Sequence, residues 1–339
     1  MTSPPSALPD PNPAIAAPDE LQEILEFSHQ QAGRDETGAV ADYIPELAKA
    51  DPDHFGIALQ TVHGRIYQVG DAEQLFTIQS VSKAFTYCLA LEVAGQAGVQ
   101  SRVGVEPSGD AFNAIEFDPG TRRPYNPMVN AGAITVAGLL LQHLGEGAFD
   151  FILDRLSRAA GRQLDVDEAV FRSELATGHR NRAIGHLLRG VDAIEGNVDA
   201  ICTLYFRQCS IRVHAVDLAR MAMTLANLGE NPTTHDQVFD IAAVRDTQAV
   251  MFSCGMYDFS GNWAHQVGIP AKSGVGGGLI GVINRQLGMA CYSPRLDAKG
   301  NPPRGVKAFT LLSEELGLHA FDCTRLGSSL LARFLKEPA

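Results

Sequence analysis

Strand-like segments in this chain of 339 residues fall into two groups, near 55–70 and 268–312, and nearly all the regular pattern between them is helical. Residues 55–62 and 65–69 read as two strands joined at His63-Gly64, a hairpin. Downstream, 268–273 and 279–284 flank Gly276-Gly277-Gly278, and 287–292 can pair back on the second of them. Residues 306–312 suit a strand or a helix equally well. Between the groups, the helical period runs from Pro127 to Leu144 and again over 148–160, 166–175, 182–188, 198–208, 215–228 and 241–252. A chain ordered this way closes as one antiparallel sheet built from both strand groups and flanked by helices, with the helical block as a second lobe: an α+β fold. The sheet draws on about 55–70 and 268–312 and the lobe on about 100–255. Residues 1–18 carry Pro4, Pro5, Pro9, Pro11, Pro13 and Pro18 and read as a disordered tail, leaving 19–339 as one domain. Its first helix is capped by Asp19 and runs to Gln31, and 323–334 reads as a closing helix.

Inside this frame, LFTIQSVSKAFTYCLA (75–90) places Ser80 and Lys83 three apart. Leu75, Phe76 and Ile78 suit an extended approach; Ala84, Phe85, Tyr87, Cys88, Leu89, Leu91 and Val93 suit a buried helix. Ser80 therefore falls at a helix N-terminus, with Lys83 one turn on and on the same face. A serine hydroxyl needs a base to become a nucleophile, and a lysine kept partly neutral by burial can serve. Free N–H groups at the helix start favour developing negative charge. The same letters also fit an ordinary helix start, with Ser80 as cap and Lys83 in solvent.

Composition narrows the functions open to such a site. The net charge is −12 and the pI about 5.3, the wrong sign for a nucleic-acid surface. The best apolar run, 131–141, is short and broken by Gly132 and Gly138, so no membrane span is expected, and the N-terminus has no signal-peptide pattern. Six cysteines form no Cys-x-x-Cys pair and sit in apolar context, which suits reduced thiols of a cytoplasmic protein. Ten histidines show neither helical pair spacing nor a cluster with cysteines, so neither metal nor cofactor is expected.

Lys272-Ser273-Gly274 ends a strand and opens the glycine-rich turn. Such a triplet downstream of Ser-x-x-Lys is the pattern of penicillin-recognising serine enzymes, although it also fits a hairpin turn with an incidental lysine. Their middle element, Ser-x-Asn, is not found within the helical lobe; Ser260-Gly261-Asn262 has the letters but lies close before Lys272 and reads as a turn.

Longer strings carry a resemblance. ADYIPELA, IQSVSK, NPMVNAGA, GHRNRAIG, YFRQCS, SCGMYDFSG and AKSGVGGG, in that order, resemble the motifs of the serine-dependent glutaminases, over about residues 30–315. The resemblance implies a serine β-lactamase/penicillin-binding-protein-like fold, a homodimer or homotetramer, and hydrolysis of L-glutamine to L-glutamate and ammonia without a cofactor. Carried over residue by residue, it makes Ser80 the nucleophile and Lys83 its base. It makes Tyr205 and Tyr257 active-site tyrosines, and the backbone N–H groups of Ser80 and Val275 the oxyanion hole. Asn130, Glu174 and Asn181 bind the amino-acid end of the substrate, Tyr43 stands at its mouth, and Gln79 lies near the ligand. Two positions depart from the pattern: Ala176 stands where a charged or polar residue is usual, and His179 where an aspartate is. The chemistry agrees, because a desolvated amino acid needs a partner for both its ammonium and its carboxylate. Two rivals remain at this level: a β-lactam- or ester-hydrolysing relative, which the missing middle motif disfavours, and a non-catalytic ligand sensor, which an intact Ser80, Lys83 and Gly274 disfavour.

Overall fold

The computed structural model describes residues 18–109 and 115–321. Helix α1 (Pro18–Gly33) is followed by strand β1 (Ala39–Val40), the hairpin β2 (Gly56–Thr61) and β3 (Ile66–Gly70), short β4 (Phe76–Thr77) and helix α2 (Ser82–Gln100). The helical block comprises α3 (Asn130–Leu144), α4 (Ala148–Ala160), β5 (Asp165–Val166), α5 (Glu168–Thr177), α6 (His179–Gly190), α7 (Val198–Cys209), β6 (Ile211–Val213), α8 (Ala215–Ala226) and α9 (Ile241–Cys254). Helix α10 (Ser260–Gln266), strands β7 (Ala271–Ser273), β8 (Gly278–Ile283), β9 (Leu287–Tyr292) and β10 (Arg295–Leu296), and helix α11 (Pro303–Leu316) complete it.

The main sheet has five strands in the order β3-β2-β9-β8-β7, antiparallel throughout, so the two distant strand groups share one sheet. Its period-2 alternation builds two cores. Ile57, Leu59, Leu279, Met289 and Cys291 pack on one side with Leu25 of α1 and Phe309 and Leu312 of α11. Ala58, Ile280, Val282, Ala290 and Tyr292 pack on the other with Leu218, Met221 and Ala222 of α8. That second contact is made backbone to backbone: a Cβ at Gly288 would lie 2.2 Å from Met223 N and 2.4 Å from Ala219 O. Glycine is what lets α8 sit flat on β9, and α8 carries the sheet's packing into the helical lobe.

In the lobe, α3 runs through the middle, buried from Asn130 to Leu140. The stretch Asn130–Ala160 reaches the length and mean hydropathy, 1.2, of a membrane-crossing helix, longer than the apolar run read from sequence. The chain breaks within it at Gly145 (φ 59°, ψ −141°), and α3 is a core helix between α2, α6 and α7. A small sheet in the order β4-β6-β5 joins the lobe to the approach to Ser80, continued by the Ile78 N–H donating to Ile211 O at 2.8 Å.

Several sequence expectations shift. Residues 303–316 form α11 and not a sheet strand, so the five-stranded sheet ends at Tyr292; Pro303 in the first turn and Gly317 in the left-handed conformation bound the helix. The strand expected over 268–273 begins only at Ala271, since Gly268 takes φ +68°. Val166 belongs to β5, and α5 starts after Asp167, whose carboxylate accepts from the Ala169 and Val170 N–H groups. Ser260-Gly261-Asn262 is the first turn of α10 and not a turn between elements. The proline-rich residues 1–17 and the closing helix over 323–334 lie outside the described residues; Pro18 opens α1.

Candidate active site

Ser80 sits in a tight 3-10 turn, Gln79–Val81, that feeds directly into α2. The turn is strained at its first residue: Gln79 has φ +46°, a left-handed value uncommon outside glycine. Three polar contacts hold it. The Ser82 hydroxyl donates to Gln79 O at 2.7 Å, and the Gln79 side-chain amide donates to Glu174 Oε1 at 2.6 Å and to Thr77 Oγ1 at 3.3 Å. Against this turn lies the end of β7. A Cβ on Gly274 would come within 3.1 Å of both Ser80 N and Val81 N, and one on Gly276 within 2.5 Å of Thr77 O. The glycines after Lys272-Ser273 thus allow backbone to lie on backbone and bring Val275 to the serine.

Lys83, one helical turn on, is only 1% exposed. Its ammonium donates to Asn130 Oδ1 at 2.6 Å and to Met128 O at 3.4 Å. Asn130 opens α3 and is a junction: its Oδ1 also accepts from the Tyr205 hydroxyl at 3.3 Å, while its Nδ2 donates to Asn181 Oδ1 at 3.0 Å. Glu174 lies near the end of α5 and Asn181 in the first turn of α6, on either side of Gly178. That glycine has backbone where a side chain would strike Phe206 Cζ at 2.4 Å. Tyr257 follows α9 in a second 3-10 turn, again with a left-handed backbone at φ +58°. Its hydroxyl donates to Ser273 O at 3.0 Å and is hydrogen-bonded to the Ser80 hydroxyl.

These residues enclose a cavity of about 110 Å³. That is below the roughly 300–1,000 Å³ of pockets for drug-sized ligands, so the occupant is a small molecule. Of the residues singled out in the sequence, Tyr43, Gln79, Ser80, Asn130, Glu174, Asn181, Tyr205 and Val275 line it. Lys83 and Tyr257 stand one layer back, reaching the wall through Asn130 and Ser80. Half-exposed Tyr43 divides the cavity from a wider surface groove beside β1 and β10. Sequence reading missed Cys209 and Arg180, which also line the cavity. The signal was present: Cys209 follows Tyr205 by one helical turn, on the same face, and Arg180 immediately precedes Asn181.

Burial sets the electrostatics. It pushes Glu174 up to about 7, against the downward pull of the Gln79 hydrogen bond and the Lys83 charge. It pushes Lys83 down to about 8, against the upward pull of Cys209 and Glu174. Burial raises Tyr257 to about 12, opposed by its hydrogen bonds to Ser80 and Ser273, and holds Tyr205 well above the usual phenol value. A base near neutrality therefore stands beside a serine, with an acid of similar strength across the cavity.

The Glutaminase family model matches residues 38–321. A glutaminase of Nostoc sp. is 49% identical over 311 residues, covering 92% of this chain and 93% of its own length. Among solved structures, Mglu in its glutamate form superposes with a TM-score of 0.85 at 42% identity, over 91% of this chain and 71% of that one. A probable glutaminase from Bacillus subtilis complexed with 6-diazo-5-oxo-L-norleucine gives 0.80 at 31% identity, over 91% and 98%. The fold is the serine β-lactamase-like one, here in an amidohydrolase. The chain belongs to the glutaminase family.

Holding Glu174 in this site has a stability consequence. Its folded value of about 7 lies above the ordinary 4.5, so between those values the native state binds more protons than the unfolded one, and stability falls as pH rises. Glu174→Gln keeps the oxygen that accepts from Gln79 and removes the titration. The variant is expected to gain stability over wild type, by about 1–3 kcal/mol more at pH 8 than at pH 5. Chemical denaturation of both proteins at the two pH values measures it; an equal difference at both would contradict the assignment.

Proposed function

We propose that the chain hydrolyses the side-chain amide of L-glutamine through an acyl-enzyme on Ser80. The observation that carries this reading is the placing of Ser80 on one wall of an amino-acid-sized cavity, Glu174 and Asn181 on another, and Lys83 buried behind. Glu174, once ionised, pairs the substrate ammonium. Asn130 and Asn181 supply side-chain amide donors and acceptors to its polar end, and Tyr43 covers the mouth.

The Ser80 Oγ proton passes to neutral Lys83, assisted by the Tyr257 hydroxyl bonded to Ser80. Oγ then bonds to the amide carbon. The backbone N–H groups of Ser80 and Val275 receive the negative charge that develops on the carbonyl oxygen. Lys83 and Tyr257 return the proton to the departing nitrogen, the C–N bond breaks, and ammonia leaves. Tyr205 holds Asn130, and through it Lys83, in place. Water attacks the ester by the same route in reverse, releasing glutamate and restoring the serine. We place the enzyme in the cytoplasm as a homodimer or homotetramer. The location is supported by the five described cysteines, all free and buried, and the assembly by the family resemblance.

Three measurements bear on the reading. Ser80→Ala, correctly folded, is expected to lose about 10³-fold or more in turnover. In wild type, kcat/KM for glutamine is expected to climb from about pH 6 to about pH 9, as Glu174 ionises and Lys83 becomes neutral. Lys83→Arg is expected to be inactive across that range, because guanidinium cannot accept the proton. A Ser80→Ala enzyme keeping a tenth of wild-type activity, or an active Lys83→Arg enzyme, would overturn the mechanism.

Specificity tests the cavity's other wall. Removing one partner of a buried ion pair costs about 3–5 kcal/mol, so Glu174→Gln is expected to lower kcat/KM for glutamine by about 10²-fold or more. For 4-carbamoylbutanoate, which lacks the α-amino group, the loss is expected to be far smaller. Asparagine, one methylene shorter, is expected to be a poor substrate of wild type, since its clamped amide cannot reach Ser80. Equal slowing of glutamine and the des-amino analogue would make Glu174 structural.

A further inference from the structure

Lys272 is fully buried on β7 and lies outside the set of residues assigned above to the reaction. Burying a lysine is costly unless its donors are used. Its Nζ donates to Ser273 O at 2.7 Å and to Gly255 O at 3.1 Å, and stands 3.9 Å from the centroid of the Tyr257 ring.

All three contacts converge on one neighbour. Gly255 leads into the turn that carries Tyr257, and is itself pressed against β7, where a Cβ would meet Ala271 O at 1.7 Å. Ser273 O is the carbonyl that accepts from the Tyr257 hydroxyl. Lys272 thus meets Tyr257 at its backbone approach, at its ring and at the acceptor that orients its hydroxyl. Tyr257 has reason to need such support. At φ +58° it occupies a backbone region that bulky side chains avoid, and such strain persists only where the surroundings over-determine it. From below, the Ser260 hydroxyl accepts from Met256 N at 3.0 Å and donates to Tyr257 O at 2.8 Å. The turn is thereby fixed from below, and Lys272 adds side-chain contacts to the backbone and Tyr257 hydroxyl bonds that tie it to the strand leading to Val275.

We propose that Lys272 is a positioning residue that holds the strained Tyr257 with its hydroxyl on Ser80, and that it acts on turnover chiefly through Tyr257. The inference rests on the reading of Ser80 and Tyr257 given above. Lys272→Met preserves length and apolar packing but removes both donors, so Tyr257 is no longer fixed at bonding distance. Displacing a reacting group by about 1 Å costs up to roughly 10²-fold. Lys272 touches no residue lining the cavity's amino-acid-binding wall, so KM is expected to stay put.

The experiment is a double-mutant cycle on the full chain, with kcat and KM for glutamine measured for wild type, Lys272→Met, Tyr257→Phe and the pair. Lys272→Met is expected to lower kcat by about 10- to 100-fold with KM within about threefold of wild type. On the Tyr257→Phe background the same change is expected to alter kcat by less than about threefold. Lys272→Gln, which keeps a shorter, uncharged N–H donor group, should fall between Met and wild type, and the same cycle is read with it where the Met variant does not fold. The proposal is overturned by equal losses on both backgrounds, by a rise in KM with kcat unchanged, by wild-type kcat in Lys272→Met, or by failure of both variants to fold. A fully active Tyr257→Phe enzyme would instead overturn the catalytic reading of Tyr257, a distinguishable result.

Discussion

A lysine deprived of water is the constraint on which the rest of the structure depends. In the proposed mechanism, Lys83 must sit on the first turn of α2 to reach Ser80, and burial is what brings its amine toward neutrality near physiological pH. Burial forbids leaving its donors unpaired, so Asn130 Oδ1 and Met128 O are brought to it from the start of α3. Asn130 in turn binds Asn181 and Tyr205, and those bonds fix α6 and α7 relative to α3. The helical lobe is therefore organised around one amine. Glu174 is under the same constraint from the opposite side, raised to about 7 by burial and steadied by Gln79, the residue before the serine.

The sheet supplies the second half of the site by close backbone contact. Gly274 and Gly276 lie against Ser80, Val81 and Thr77: a Cβ on Gly276 would clash with Thr77 O, and one on Gly274 would press on the Ser80 and Val81 nitrogens. The serine turn is caught between the β7–β8 turn and the small β4-β6-β5 sheet, with Gln79 and Tyr257 in left-handed conformations on either side of Ser80. Strain of this kind, about 1–3 kcal/mol per residue, persists where packing over-determines it. The five-stranded sheet is packed on both faces, by α8 on one and by α1 and α11 on the other.

Much of this was legible in the letters. Apolar runs bounded by glycine turns, His63-Gly64 and Gly276-Gly277-Gly278, marked β2, β3, β8 and β9, and the helical period marked α4 at its observed ends. The helix over 303–316 was harder: its apolar residues satisfy either period, and the decisive marks were Pro303 and Gly317 at its ends. Ser260-Gly261-Asn262 reads as a turn because it lies too close before Lys272 to come from the helical lobe, whereas the Ser260 hydroxyl serves the backbone of Met256 and Tyr257 inside a packed corner. In the site, the Ser80–Lys83 spacing could be read from local geometry. Glu174 could not, because a lone glutamate on a helix looks like a solvated face; resemblance alone marked it out. The meeting of Lys272 with Tyr257 was invisible, since it depends on how the corner after α9 folds back on β7.

The central claim is a covalent intermediate on Ser80, and the most direct measurement is to catch it. Enzyme turning over excess L-glutamine is quenched in acid, digested, and its peptides are mapped by mass spectrometry. The account predicts a glutamyl ester on the peptide carrying Ser80 and on no other residue. A glutamyl group on Cys209, the other nucleophile on the cavity wall, or no adduct on any peptide while ammonia is being released, would contradict it.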